Sequence, residues 1–298
     1  MQPWMVSLHG GHSSAYCDHA ADSLRDILDA AIAAGYHSFG VSEHAPRSEA
    51  RFLYPNEHEL GWTLEKTISD FDQYMIDLPA IAAEYADRLD VICGFEAEVV
   101  PASTYVEKML DFRRRSRPNG KPLFDFFVGS VHFVNEIQID GEVEDWVKAM
   151  EACGGPEALA TAYYDEIATM VDALKPDVVG HLDLIKRNVL LAGIEGWTLQ
   201  TAKARAAADR ALEAIKANDG ILDLNTAGWR KGLGEPYPAP WIIERAVKMD
   251  VSFCFGDDSH RISHVGEGVA AAREYLLQNG VISVTTVRQG GERVVYLL

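Results

Sequence analysis

Seven of the ten histidines stand at or just beyond the end of a short apolar run. Neutral imidazole and carboxylate are the usual protein ligands of zinc, iron and manganese. A set larger than four such groups indicates two or three metal ions that share bridging ligands. Two neighbouring metals can activate a water molecule and stabilise the entering and leaving oxygens of a phosphate ester. The seven are His9, His12, His19, His44, His132, His181 and His260.

Two carboxylates, Glu96 and Asp258, occupy the same kind of position. Each residue also has a simpler interpretation. A lone histidine at a strand end is more often a hydrogen-bonded loop residue than a ligand, Glu96 could be the partner of a helix N-cap, and Asp258 could cap a helix. The joint pattern favours a metal site. The other three histidines, His37, His58 and His264, do not fit the pattern and are predicted to be structural or solvent-exposed.

The apolar runs are typical of buried parallel strands, and amphipathic helical patterns lie between them. A strand followed by a helix, seven times over, indicates a βα barrel or a doubly wound sheet. A barrel gathers the carboxyl ends of all its strands around one site, whereas an open sheet leaves its edge strands too far apart. We therefore predict an α/β fold with a distorted seven-stranded (β/α)7 barrel, as a single domain over residues 1–298. The predicted strands are 4–8, 38–42, 89–95, 126–131, 178–180, 221–224 and 251–255; the predicted helices are 19–35, 63–86, 156–174, 199–218 and 240–249.

Composition limits the partners of the chain. Its net charge is −18 at pH 7, which disfavours binding of long nucleic acids. The chain has no run of about 18 apolar residues, so no membrane span is expected. Its first residues do not resemble a secretory signal. The cysteines form no C-x-x-C pair, so neither a disulfide framework nor a thiolate zinc site is expected, and a reducing cytoplasm is the simplest location. They are Cys17, Cys153 and two in apolar runs that we expect to be buried, Cys93 and Cys254.

The order of the polar segments resembles the PHP (polymerase and histidinol phosphatase) superfamily, most closely its histidinol-phosphate phosphatase type. The resemblance runs from His9 to about Gly266. Each segment is a weak signal alone, but their order is specific. The matching segments are residues 17–20, 41–46, 94–98, 129–133, 180–187, 224–231 and 256–260.

The resemblance implies a distorted seven-stranded barrel with two or three divalent metal ions, namely zinc, manganese or iron. Glu96 would be the bridging carboxylate. The family usually opens with His-x-His, whereas this chain has one more residue in His9-Gly10-Gly11-His12. A β-bulge at the glycines would restore the geometry and make His12 a ligand. By matching position the other ligands would be His9, His19, His44, Glu96, His132, His181, Asp258 and His260.

Two arginines in the matched segments, Arg230 and Arg187, would bind the substrate phosphate, because a planar guanidinium binds two phosphate oxygens at once. The alternative for both is a solvated loop or a salt bridge. Residues 51–57 are aromatic and follow the second strand, so they are candidates for a lid or an imidazole-binding loop, or for a packed surface loop. Glu98 could support the ligands or be a structural partner.

The preferred function is a metal-dependent phosphomonoesterase that hydrolyses L-histidinol phosphate to L-histidinol and phosphate. A metal-bridging hydroxide would attack phosphorus, with Glu96, Asp258 and His260 as the catalytic residues and Asp258 or a histidine protonating the leaving alkoxide. The alternatives are a phosphoesterase for another small phosphate ester or a phosphodiester, and a non-catalytic metal-binding module. The partner is expected to be a small phosphorylated substrate, and the oligomeric state is left open.

Overall fold

The computed structural model describes residues 2–298, which contain a closed barrel of seven parallel strands. Two of these strands are only two residues long, so the barrel is distorted. The predicted fold class is confirmed. In chain order the strands are β1 (Val6–Gly10), β2 (Ser38–His44), β3 (Asp90–Ala97), β4 (Val128–Gly129), β5 (Phe133–Val134), β6 (Ile137–Gln138), β7 (Val178–Val179), β8 (Ile221–Asn225), β9 (Ser252–Gly256), β10 (Ser283–Val287) and β11 (Arg293–Leu297). The barrel order is β1-β2-β3-β4-β7-β8-β9.

The helices surround the barrel, and five of them lie where the periodicity predicted helices. The α-helices are α1 (Leu24–Ala34), α2 (Pro55–Glu59), α3 (Leu64–Tyr85), α4 (Tyr105–Arg114), α5 (Val143–Cys153), α6 (Pro156–Leu174), α7 (Ala202–Ala217), α8 (Ala227–Arg230), α9 (Pro240–Lys248) and α10 (Val269–Gln278). Short 3₁₀ turns span Ala50–Phe52, Leu184–Lys186, Gly196–Gln200 and Ile262–His264. No described helix is both long enough and apolar enough to cross a membrane.

Helix α1 shows how local sequence sets these boundaries. Ser23 is its N-cap and exchanges hydrogen bonds with Asp26 in a capping box, so the helix begins at Leu24, five residues after the predicted start at His19. Its C-cap is Gly35, whose φ of 90° lies in the left-handed region that a glycine adopts without strain. One face is buried against the barrel.

A β-bulge is present in β1, but it lies between Ser7 and Gly10, on the N-terminal side of the predicted position at Gly10-Gly11. Ser7 pairs with Phe39 and Gly10 with Val41, so three steps along β1 match two steps along β2. The extra residue changes the direction of the chain just before His12. Gly10 is required for space as well, because a Cβ atom there would lie 2.5 Å from the ring of Phe39.

The barrel interior is an apolar layer below the carboxyl ends of the strands. The hairpin of β10 and β11 closes the opposite end, as the amide of Gly290 donates to Asp125 and the side chain of Gln289 donates to the carbonyl of Val91. The polar groups that follow the strands are therefore confined to one mouth of the barrel. The interior cluster consists of Leu8, Ile92, Phe126, Val128, Val178, Ile221, Cys254 and Val287.

Candidate metal centre and active site

Glu96, at the end of β3, lies at the centre of the barrel mouth. Its Oε1 atom is 3.4 Å from His9 Nε2, 3.5 Å from His132 Nε2 and 3.3 Å from His181 Nε2. Its Oε2 atom is 3.0 Å from His44 Nδ1. Four strands thus direct one imidazole each at a single carboxylate, and all five residues belong to the predicted ligand set.

A second group adjoins the first. His12 Nε2 lies 3.5 Å from Asp258 Oδ1 and 3.9 Å from Glu96 Oε2, so His12 lies between the two carboxylates. Its ring stacks on the ring of His260 with centroids 4.2 Å apart and on the ring of His44 with centroids 4.5 Å apart. The bulge in β1 therefore brings His12 into the cluster.

His19 lies at the rim of the cluster. A third of its side chain is exposed, and its Nδ1 atom is 2.9 Å from Asp18 Oδ1. Its ring stacks on His260 at 4.4 Å. The buried thiol of Cys17 is also within reach of the same histidines, which the scattered spacing of the cysteines did not indicate.

The cluster contains buried polar atoms that have no hydrogen-bond partner among the described residues. Such atoms are rare in native proteins and cost free energy unless something binds them. Each is an imidazole nitrogen or a carboxylate oxygen, which are the donors that zinc, manganese and iron accept. The residues therefore fit divalent metal ions. The atoms are His9 Nε2, His12 Nε2, His44 Nδ1, His260 Nε2 and both carboxylate oxygens of Glu96.

The electrostatics of the cluster favour positive charge. Burial lowers the pKa of a histidine, yet Glu98 and Glu96 raise the pKa of His132 to about 10. Burial likewise opposes protonation of His12, but Asp258 and Glu43 raise its pKa to about 9. The carboxylates thus stabilise a cation at this place, whether it is a proton or a metal ion.

Three carboxylates contact the far side of the histidine rings. Asp223 Oδ2 is 2.8 Å from His9 Nδ1, Glu98 Oε1 is 3.3 Å from His132 Nδ1, and Glu43 Oε2 is 3.6 Å from His12 Nδ1. A proton held on Nδ1 of His9 or His132 by its carboxylate leaves Nε2 as a lone-pair donor directed at Glu96, whereas Glu43 is too far from His12 Nδ1 for a direct hydrogen bond.

Glu98 was anticipated as a supporting residue, whereas Glu43 and Asp223 were missed. Asp223 was missed because it lies inside a strand, and its inward direction becomes visible only when the barrel closes.

Two candidate ligands have unusual backbone conformations. Asp258 has φ of 48° and His181 has φ of 21°, both positive and uncommon for residues with a side chain. Residues held in this way concentrate at functional sites, where the surrounding structure fixes them. Hydrogen bonds fix Asp258, since its amide donates to the carbonyl of His9.

A cavity of about 430 Å³ opens above the cluster and is lined by both predicted arginines. Arg230 donates to the carbonyls of Asp257 and Asp258, so it also supports the Asp258 loop. Arg187 has no hydrogen bond from its guanidinium to any described residue, and its nearest acid is Asp140 at 3.7 Å. Arg187 is therefore the freer of the two, and Lys231 adds a cation that the sequence analysis did not single out.

The 51–57 segment borders this cavity through Tyr54 and the two residues after it. The hydroxyl of Tyr54 donates to Glu98 at 2.8 Å, and Arg47 lies over its ring at 4.1 Å. Arg47 is buried and forms an ion pair with Glu57, which caps the amide of Tyr54. The segment is thus a packed wall of the cavity.

The three excluded histidines have different positions. His37 lies at the closed end of the barrel, where its Nε2 atom is 2.6 Å from the carbonyl of Pro3, and His58 is exposed on α2. His264 differs from the expectation, because it lines the cavity. Burial lowers the pKa of His264 to about 4. No sequence signal indicated that His264 lines the cavity, because the residue lies in a turn beyond the last barrel strand.

The fold and the cluster together define a βα-barrel protein with a site suited to divalent metal ions at the carboxyl ends of its strands. A family model described as "PHP domain" matches residues 9–227. The chain belongs to the PHP family.

Curated relatives cover almost the whole chain. A probable histidinol-phosphatase of Schizosaccharomyces pombe is 32% identical over 96% of this chain and 90% of its own length. The histidinol-phosphatase of Saccharomyces cerevisiae is 29% identical over 90% of this chain and 87% of its own length.

Solved structures show the same fold. A candidate histidinol phosphatase of Listeria monocytogenes has a TM-score of 0.76 and 25% identity, and the match covers 89% of this chain and 99% of that one. The histidinol phosphate phosphatase of Lactococcus lactis, in complex with zinc, L-histidinol and phosphate, has a TM-score of 0.70 and 19% identity, over 98% of this chain and 99% of that one.

Proposed function

We propose that this protein is a metal-dependent phosphomonoesterase that hydrolyses L-histidinol phosphate to L-histidinol and phosphate. The observation that carries the proposal is the convergence of four imidazoles on Glu96 beneath a cavity lined by Arg187 and Arg230. The names of the curated relatives support the substrate.

Divalent cations bound at the cluster would lower the pKa of water and neutralise phosphate charge. His9, His12, His19, His44, Glu96, His132, His181, Asp258 and His260 are the proposed ligands. The number of ions, two or three, and their identity as zinc, manganese or iron belong to this proposal, and the zinc in the Lactococcus lactis complex supports the class of metal.

The residues of the chain would contribute binding, orientation and proton transfer. Arg187, with free donors, would bind phosphate oxygens bidentately, and Arg230 would hold the Asp258 loop while facing the same cavity. Asp258 and His260 are the proposed acids near the leaving oxygen. Burial and the neighbouring rings of His12 and His19 lower the pKa of His260, so it would first accept the proton of the attacking water and then donate it to the leaving oxygen.

The decisive experiment measures phosphate release from L-histidinol phosphate by protein loaded with zinc, manganese or iron. Activity is expected with at least one metal and should disappear after chelation. A parallel assay with bis-p-nitrophenyl phosphate and with other small monoesters separates this function from its alternatives. Faster hydrolysis of the diester would replace the proposal with a phosphodiesterase, and less than one bound metal per chain would favour a non-catalytic module.

A cytoplasmic location is part of the proposal. It is supported by the four cysteines, all of which are free thiols. Cys93 and Cys254 are buried as expected.

A further inference from the structure

One wall of the cavity brings an acid and a base together. Asp140, which follows the β5–β6 hairpin, and Arg187, which follows the 184–186 turn, both line the cavity. Their nearest atoms, Asp140 Oδ2 and Arg187 Nη1, are 3.7 Å apart, too far for a direct hydrogen bond. Asp140 can therefore still accept, and Arg187 can still donate, a hydrogen bond with a bound ligand.

The two segments are fixed relative to each other by a buried amide. The side chain of Asn188 donates to the carbonyls of Ile139 and Gly141, at 3.3 and 3.1 Å, on either side of Asp140. Asn188 is 3% exposed. The spacing of the acid and the base is thus built into the fold and does not depend on two flexible side chains finding each other.

The orientation of the carboxylate is also set. Gln138 donates to Asp140 Oδ1 at 3.2 Å, which leaves Oδ2 on the side of Arg187. The Asp140 side chain is 17% exposed and that of Arg187 is 32% exposed, so both reach the space of the cavity. In a partly enclosed site, an ion pair with a ligand is stronger than one at an open surface.

We infer that Asp140 binds an ammonium group of the substrate while Arg187 binds its phosphate. The substrate class is then a phosphate ester of a 2-amino alcohol, in which one oxygen and two carbons separate the phosphorus from the nitrogen. An acid and a base held side by side match two opposite charges held close together in the ligand. This inference rests on the proposed function and adds the feature by which the site distinguishes its substrate from other monoesters.

Apart from the acids that contact the histidine cluster, namely Asp18, Glu96 and Asp258, the cavity contains one other candidate for the same role. Glu142 lines it two residues further along the chain, but it is more exposed and no described residue holds its carboxylate in place. A fixed carboxylate loses less entropy on binding than a free one. Asp140 is therefore the assigned residue, and Glu142 is the comparison.

The test compares pairs of substrates that differ only in the amino group. One pair is L-histidinol phosphate and 3-(imidazol-4-yl)propyl phosphate, and the other is 2-aminoethyl phosphate and ethyl phosphate. The metal-loaded wild type should prefer the amine of each pair by about 10- to 100-fold in kcat/KM, which is typical of a hydrogen bond to a charged group. In Asp140→Asn the preference should shrink to about threefold or less, through KM of the amine substrate.

Matched variants make the result specific. Glu144→Gln removes an exposed acid from the same segment and should behave as wild type. If Asp140→Asn does not fold, Asp140→Ser and competitive inhibition by L-histidinol against 3-(imidazol-4-yl)propanol give the same comparison. Equal losses on both members of a pair would mean that Asp140 only positions Arg187, and loss of the preference in Glu142→Gln but not in Asp140→Asn would reassign the role; either result overturns the inference.

The two proposals fail separately. A wild type that hydrolyses both members of a pair equally well contradicts the ammonium site but leaves the phosphatase in place. A wild type that prefers 2-aminoethyl phosphate to ethyl phosphate, yet does not hydrolyse L-histidinol phosphate, supports the ammonium site and removes the proposed substrate.

Discussion

At the residue scale, Asp223 is the clearest supporting side chain of the cluster. Both it and His9 are fully buried, and Asn225 also donates to Asp223 Oδ2 at 3.1 Å. Gly256 leaves room for the pair, since a Cβ atom there would lie 2.3 Å from Asp223 Oδ1 and 2.7 Å from His9 Cβ. Three strands therefore cooperate to hold one imidazole.

Asp223→Asn is expected to weaken metal binding or activity by about 10- to 100-fold, because an amide does not hold the proton on His9 Nδ1 as a carboxylate does. Titration of the metal-free protein with zinc against a chromophoric chelator measures the affinity. Asp250→Asn, at a site that is 97% exposed, is the control and should match wild type. Unchanged affinity and activity in Asp223→Asn would show that the pair is only structural.

The two arginines of the cavity should respond differently to truncation. Arg187→Ala is expected to lower kcat/KM by about 100-fold or more with little change in the melting temperature, since only substrate uses its donors. Arg230→Ala should lower both quantities, because Arg230 holds the carbonyls of Asp257 and Asp258. The measurements are steady-state kinetics and thermal unfolding of both variants. If instead Arg230→Ala lowered only kcat/KM and Arg187→Ala lowered both quantities, Arg230 would be the main phosphate ligand.

At the element scale, the segment between β2 and α3 is held by a buried ion pair. Arg47 is 2% exposed and Glu57 is 4% exposed. Burial raises the pKa of Glu57, and Arg47 opposes that increase. Removing one partner of a buried pair leaves the other charge without compensation.

Arg47→Met is therefore expected to destabilise the fold by about 3 kcal/mol at pH 8. Without Arg47 the pKa of Glu57 rises further, so the folded variant retains a proton at pH values where wild type has lost it. Its stability relative to wild type then falls as pH rises, and the difference should be smaller at pH 5 than at pH 8. Urea unfolding of variant and wild type at both pH values measures this.

An exposed ion pair provides the control for that experiment. Arg25 and Glu84 are half-exposed and 2.8 Å apart. Arg25→Met should change stability little and equally at both pH values, because solvent screens such pairs. A destabilisation of Arg47→Met that does not depend on pH would contradict the role assigned to Glu57.

At the scale of the whole molecule, the cluster joins strands from every part of the barrel. A ligand that binds only the folded state raises its stability in proportion to the logarithm of its concentration. Metal-free protein should therefore melt at a lower temperature, and saturating zinc or manganese should raise the midpoint by roughly 5 °C or more. Scanning fluorimetry over a metal series measures this, and Glu96→Gln should reduce the response. A midpoint of thermal unfolding that does not change with any of the metals would contradict the proposed metal centre.

The sequence predicted the elements whose signals are local. Helix α6 has its predicted bounds because Pro156 suits the first turn and an apolar face continues to Leu174. Helices α2, α4, α5, α8 and α10 were not predicted.

The structure brings together predicted site residues that follow a strand, whereas the sequence analysis missed residues whose role depends on neighbours distant in sequence. Asp223 and Glu43 belong to the second kind, since each acts on a histidine of another strand. Cys17 and His264 lie in loops whose course is set by the packing of the whole barrel.

The barrel is joined between its first and last strands at one pair of residues, His9 and Gly256. The side chains on either side of that seam, His12 from one edge and Asp258 from the other, are proposed ligands of the same ions. Bound cations would thus link the two edges of this junction, in addition to backbone hydrogen bonds such as the one from the amide of His12 to the carbonyl of Ser259. When the ions leave, amide hydrogen exchange should accelerate first along this junction. Metal binding would thus control the local stability of the pairing between the first and last strands.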